Sequence, residues 1–274
     1  MFDHLPILVS ASQVKSKVKS WRAFGEKIAF VPTRGSLHEG HVSLIREAQR
    51  LAERVLVSVY SNGETRDRDN DLDLLDQERV DAIYTPTEAS FFPPGFALRI
   101  DVAGLSDVME GRDDPERLRT QTLVILKQVI QAQPDLLLIC ESNWQQLALV
   151  RRVLQDLDMA IDVQSVPASR DDDGIAYSAA LSALSDDERR TARRLFPSLR
   201  SAAEAVAADD GAADAAAAEA AAALREAGAE VDYVEVRAER SLAAAAERGE
   251  EPLRVFGAIR VGGHRLLDSV AVGG

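Results

Sequence analysis

The sequence predicts an α/β fold, a doubly wound parallel sheet with a second, smaller C-terminal domain, on three observations. Short apolar runs alternate with helix-period segments through the first two thirds of the chain. Those runs are rich in Val, Ile and Leu without strict alternation, as expected where both faces of a parallel strand are covered. Near Ser169–Gly174 the pattern changes, which places a domain boundary there and divides the chain into residues 1–170 and 171–274.

Taken in order, an opening helix starts at Ser10, where Ser-x-x-Gln to Gln13 has the form of a capping box. Strands follow at Lys27–Pro32, Arg54–Tyr60, Val80–Thr85, Asp135–Cys140 and Ala160–Val166. Between them, Val42–Ala52 gathers Leu44, Ile45, Ala48, Leu51 and Ala52 on one helical face, and Gln145–Leu157 does the same with Leu147, Val150, Val153, Leu154 and Leu157. Glu64–Asp71 reads as a charged loop. Beyond the boundary come a helix start at Ser185, an Ala-rich surface helix over Ser201–Leu224 stopped near Gly228, and strands at Val231–Arg237 and Arg254–Val261.

The chain of 274 residues carries 32 Lys and Arg against 45 Asp and Glu, a formal charge of −13 that disfavours nucleic acid and anionic lipid as partners. Its single cysteine, Cys140, forms no intramolecular disulfide and suits a reducing, cytoplasmic setting. No apolar stretch reaches the ~18 residues of a membrane span, and the first residues predict no export leader.

Chemistry concentrates at Thr33-Arg34-Gly35-Ser36-Leu37-His38-Glu39-Gly40-His41, between a strand and a helix. A helix N-terminus offers backbone N–H groups without intrahelical partners, a natural seat for phosphate. His38 and His41, three residues apart, share one face and can donate hydrogen bonds as charge builds on a phosphate, while Gly40 leaves room for a nucleotide. A packing or surface pair is the plain alternative, and zinc a weaker one for want of a further ligand.

The run from Phe30 through His41 to Ala48 closely resembles the signature of the pantothenate synthetase (pantoate–β-alanine ligase) family. Further landmarks agree in order: Gln133-Pro134-Asp135, Gln145-Gln146, Val166-Pro167, Arg170 with Asp173-Gly174, Val231–Arg237 and Arg265–Asp268. The resemblance implies a Rossmann-like domain of the His-x-Gly-His nucleotidyltransferase superfamily, a C-terminal α+β lid domain and a homodimer. It implies ATP, with Mg²⁺ conditional on ATP use, and small-molecule acid and amine partners. An acid attacks the α-phosphate to give an acyl adenylate, then an amine releases AMP. The residues it implicates are His38, His41 and Arg34 for catalysis, with Pro32, Thr33, Gly35, Gly40, His41, Glu141, Ser142, Asn143 and Ser178 for nucleotide. Gln146, Arg117 and Arg119 are implicated for the acid.

The chain departs from the family at several of these points. Ser142 stands where the family has a triphosphate-binding lysine, Ala180 where it has a phosphate-binding arginine, Arg34 where it has a methionine, and Asp114 and Arg117 where it has a cation and a histidine. The segment after the second predicted strand, Ser61–Asn70, lacks both motifs that hold pantoate. A charge-assisted contact contributes about 1.5–3 kcal/mol, so the changes predict an amide-forming ligase acting on another acid or amine. A nucleotidyltransferase without amide formation and a noncatalytic nucleotide-binding paralogue are the other readings.

Overall fold

A computed structural model describes residues 5–60 and 68–273. The strands are β1 (Ile7–Leu8), β2 (Ile28–Thr33), β3 (Arg54–Val59), β4 (Ala82–Tyr84), β5 (Leu136–Cys140), β6 (Asp162–Val166), β7 (Glu230–Ala238), β8 (Leu253–Val261) and β9 (His264–Ala271). The helices are α1 (Ala11–Arg22), α2 (Glu39–Leu51), α3 (Arg68–Gln77), α4 (Glu88–Phe91), α5 (Glu110–Asp113), α6 (Pro115–Ala132), α7 (Trp144–Asp156), α8 (Asp186–Ala192), α9 (Leu195–Ala208) and α10 (Ala213–Glu226). They form two compact units. One comprises residues 1–101, 119–140 and 150–166; the other takes 102–118 and 141–149 together with 167–274.

In the first unit, six parallel strands run in the order β1-β4-β3-β2-β5-β6. The apolar runs form strands because they are buried: Ile28, Ala29, Phe30 and Val31 of β2, and Leu56 and Val57 of β3, are inaccessible to solvent. α2 turns Leu44, Ile45 and Ala48 onto this sheet. α1 starts at the foreseen capping box, Ser10 Oγ accepting from the Gln13 amide at 3.3 Å. Because the strand order grows from β2 to β3 in one direction and from β2 to β5 in the other, the sheet has its switch point beside β2. In doubly wound sheets the ligand crevice opens at the carboxyl ends of the strands there.

In the second unit, β7, β8 and β9 form an antiparallel sheet on which α9 and α10 pack. β9 carries the Arg265–Asp268 landmark as a strand that the sequence pattern did not mark. Gly257 lies where β8 meets α9, and a Cβ there would stand 2.7 Å from Leu199 Cδ2, so a larger residue would have to displace the leucines of α9.

Two expectations need correction. The Ala-rich segment is two helices, broken at Asp209, whose carboxylate accepts from the Gly211 amide at 2.9 Å and starts a short 3₁₀ turn. Both helices lie at the surface as expected, with Glu204, Ala205, Ala215 and Glu219 exposed, and each buries its other face: Ala202, Ala203, Val206, Ala216, Ala220 and Leu224 are small enough to let α9 and α10 approach each other and the sheet closely. Residues 68–71 are the first turn of α3 rather than loop, with Asp71, Leu72 and Leu75 on its buried face. The remainder of that charged stretch, Glu64–Asp67, lies outside the described residues.

Candidate active site

β2 ends at Thr33, and the chain turns through Arg34–His38 before α2 begins at Glu39. The Thr33 hydroxyl donates to the Ser58 carbonyl of β3 at 2.7 Å and accepts from the Gly35 amide at 3.4 Å, so the exit from the sheet is pinned to the neighbouring strand. Gly35 (φ +84°) and Ser36 (φ +51°) are both left-handed. The second of these costs a side-chain-bearing residue about 1–2 kcal/mol, so something must hold it.

That holder is Asp71. Its buried carboxylate accepts from the Ser36 amide at 2.9 Å and from the Leu37 amide at 2.6 Å. The turn therefore does not present a row of free N–H groups, contrary to the sequence expectation. An internal anion already occupies two of them, and the Gly40 amide donates to His38 Nδ1 at 3.2 Å.

His38 also differs from expectation: it is the N-cap of α2, in extended backbone, and not part of its first turn. The two histidines cap reciprocally, the His38 amide donating to His41 Nδ1 at 3.3 Å. Their ring centroids are 4.1 Å apart at 46°. An Nδ1 that accepts a backbone proton is unprotonated, so each neutral imidazole carries its proton on Nε2. Neither Nε2 makes a hydrogen bond among the described residues, and both histidines are half-buried. Burial, the neighbouring His38 and the Arg34 cation hold His41 down to about 3, and burial lowers His38. Both rings are thus uncharged near neutral pH. The pair is a fixed set of N–H donors at the end of β2, suited to a phosphate that gains charge during reaction.

The structure brings Pro32, Thr33, Arg34, Gly35, His38, Gly40 and His41 into one turn, with Arg34 exposed. Glu141, Ser142 and Asn143 form a 3₁₀ turn after β5, where the Glu141 carbonyl accepts from Ser269 Oγ at 2.8 Å. Ser178 Oγ is buried without a hydrogen-bond partner, a hydroxyl left for a ligand or water to satisfy. Gln146 is half-buried, while its neighbour Gln145 is consumed structurally. Gln145 accepts from the Glu110 amide at 3.0 Å and donates to the Leu105 and Val108 carbonyls.

The two arginines expected to bind the acid are neutralised by protein carboxylates. Arg117 donates to Glu110 at 3.1 Å and Asp114 at 3.2 Å, and Arg119 to Asp101 at 3.0 Å. Charge at Asp114, one of the departures noted above, is thereby absorbed by Arg117 in the first turn of α6. Trp144 fills the interior, its Nε1 donating to the Glu239 carbonyl at 2.8 Å beneath the Arg254 guanidinium. Among the described residues no cluster of three His, Cys, Asp or Glu side chains is placed to hold a metal ion, and no helix is long and apolar enough to cross a membrane.

The pantoate-beta-alanine ligase family model matches residues 6–271. The chain belongs to that family. Among its relatives, the pantothenate synthetase of Mesorhizobium japonicum is 38% identical, with 97% of each chain covered. That of Caulobacter vibrioides is 36% identical over 98% of this chain and 99% of the relative. The crystal structure of pantothenate synthetase from Thermus thermophilus superposes with a TM-score of 0.86 at 28% identity, covering 98% and 99% of the two chains. The six-stranded parallel sheet with its small antiparallel unit is accordingly the α/β fold of this ligase family, whose members are ATP-dependent. In a ligase of this family the one site residue that sequence reasoning missed is Asp71. Its signal was an acidic residue at the start of an apolar i, i+1, i+4 face, hidden within a stretch that read as solvated charge.

Proposed function

We propose that this member of the pantoate–β-alanine ligase family activates a small carboxylic acid as an acyl adenylate at the expense of ATP and passes the acyl group to an amine, releasing AMP. The observation that carries the reading is the pair of uncharged imidazoles whose Nε2–H donors are free at the switch point of the sheet. A carboxylate oxygen attacks the α-phosphate, the bond to pyrophosphate breaks, and negative charge gathers on phosphate oxygens within reach of two preset donors. Removing one such donor typically lowers turnover by about 10²–10³. In the second step the amine nitrogen attacks the acyl carbon and AMP leaves. Mg²⁺ enters as the counter-ion of ATP.

Arg34 contributes positive potential on the same turn, offsetting in part the cations the family carries where this chain has Ser142 and Ala180. The family resemblance assigns Glu141, Ser142, Asn143 and Ser178 to the nucleotide and Gln146 to the acid. Residues 171–274 serve as the lid, and the active form is a homodimer, which light scattering on the purified protein tests.

The neutralised Arg117 and Arg119, with the shortened segment after β3, favour an acid or amine other than pantoate and β-alanine. Purified protein is incubated with ATP, Mg²⁺ and a panel of acid and amine pairs that includes the parental pair, and AMP and pyrophosphate are quantified. Release of AMP that depends on the amine supports the ligase. Turnover confined to pantoate and β-alanine overturns the altered pair, and no AMP with any pair overturns the enzyme in favour of nucleotide binding alone.

A further inference from the structure

Asp71 stands outside the signature turn in sequence, yet it does more for that turn's backbone than any residue within it. It lies on α3, in the βα connection that follows β3, and β3 is the strand paired with β2 from Ile28–Arg54 to Thr33–Val59. From there its two carboxylate oxygens each take one backbone proton, Oδ2 from Ser36 and Oδ1 from Leu37. The side chain is 3% exposed as part of its residue, and Oδ2 lies 3.1 Å from where a Cβ on Gly35 would stand. A bidentate acceptor at that depth fixes the orientation of two successive peptides, Gly35–Ser36 and Ser36–Leu37. The next residue is His38, whose amide donates to His41 Nδ1 and whose own Nδ1 accepts from Gly40.

We infer that Asp71 is a positioning residue for the imidazole pair: through the Ser36 and Leu37 amides it sets the tautomer and orientation of the Nε2–H donors of His38 and His41. The inference rests on the proposed ligase reading for its catalytic meaning, but its structural content does not. A second consequence follows from the same bonds. With an internal carboxylate on these amides, an incoming phosphate meets imidazole donors rather than a backbone nest, so the site stabilises charge through groups whose protonation can be read directly.

The experiment is ¹⁵N imidazole NMR and amide hydrogen exchange on the nucleotide-free protein, with steady-state kinetics alongside. In the parent chain both rings show the Nε2–H tautomer at neutral pH and the Ser36 and Leu37 amides are protected. Asp71→Asn keeps one acceptor but turns an amide N–H₂ toward the second donor. It is expected to populate the Nδ1–H tautomer in at least one ring, expose one of the two amides and lower kcat about 10- to 100-fold with little change in KM for ATP. Asp71→Glu, which keeps the charge, is expected to recover part of kcat; Asp73→Asn, on the exposed face of the same helix, changes nothing. Unaltered tautomers and exchange in Asp71→Asn overturn the inference. So do Ser36 and Leu37 amides in the parent that exchange as freely as an open turn, a result that needs no variant to fold. If the tautomers respond while no acid and amine pair yields AMP, positioning stands and the ligase reading fails.

Discussion

The turn after β2 in the first unit and the cluster around Glu110 in the second both draw ionisable groups out of bulk water, and they finish the task differently. Glu110 accepts from Tyr233 at 3.0 Å, from Arg117 and from Arg265, and Arg265 goes on to Asp232 at 2.5 Å. Tyr233 is held far above its ordinary range by burial and by the Glu110 charge, so it stays a neutral donor. Charge in that cluster is matched by charge, which makes it a structural device. On the β2 turn one carboxylate satisfies the Ser36 and Leu37 amides, each neutral ring accepts a backbone amide at Nδ1, and two N–H donors are left over. The clamp also keeps one buried donor without a hydrogen bond, Arg265 Nη2, which lies 3.6 Å from Asp113 Oδ2; the candidate site is set apart by the neutrality of its two rings, and residue type alone did not separate them.

The comparison breaks first, and hardest, at Glu110. Glu110→Ala strands Arg265 and Arg117 without their shared carboxylate and is expected to cost about 3–5 kcal/mol of stability, read from urea unfolding. Next comes His41→Ala, expected to lower turnover by about 10²–10³ while costing only about 1 kcal/mol of stability at pH 7, the loss of the acceptor for the His38 amide. Should the two variants exchange these signatures, the assignment of clamp and site is reversed. Smaller again is Gly35→Ala, which places a Cβ on a φ of +84° and 3.1 Å from Asp71 Oδ2; a loss of about 1–2 kcal/mol is expected by thermal or chemical denaturation.

The gentlest test uses pH. His41 takes a proton near pH 3 in the folded chain and near 6.5 when unfolded. The unfolded state therefore binds more protons between those values, and stability falls as pH drops through that window. Above about pH 6.5 the whole contribution is present. His41→Asn is expected to flatten this slope, and in the parent kcat/KM is expected to show no acid limb centred at 6.5, because the donors remain neutral well below it. Such a limb, assigned to His41 by its loss in the variant, would show that the ring works as a cation.

Much of this was readable in advance where local pattern and local physics coincide. The β2 run Ile28–Thr33 is apolar on both faces because it is central in the sheet, and Ser10 and Ser185 mark helix starts with complete capping boxes. Legibility ended where a residue's meaning depends on something distant in sequence. Asp71 lies 34 and 35 residues from the amides it holds, and Arg117 reads as a free cation until Glu110 is seen beside it. The alanine run illustrates the same limit in the fold: helix propensity was plain, but the break at Asp209 comes from a side chain capping its own backbone, and burial comes from a sheet made later in the chain.

By itself the sequence determined the doubly wound first unit, the family, and the presence of two histidines and glycines between a strand and a helix. Periodicity and propensity act over a few residues and survive without tertiary context. Only the tertiary structure decided which backbone donors were already taken, which cations were already neutralised and which nitrogen of each imidazole faces outward. Those are pairings, and a charge or a hydrogen bond has no fixed worth until its partner and its distance from water are known.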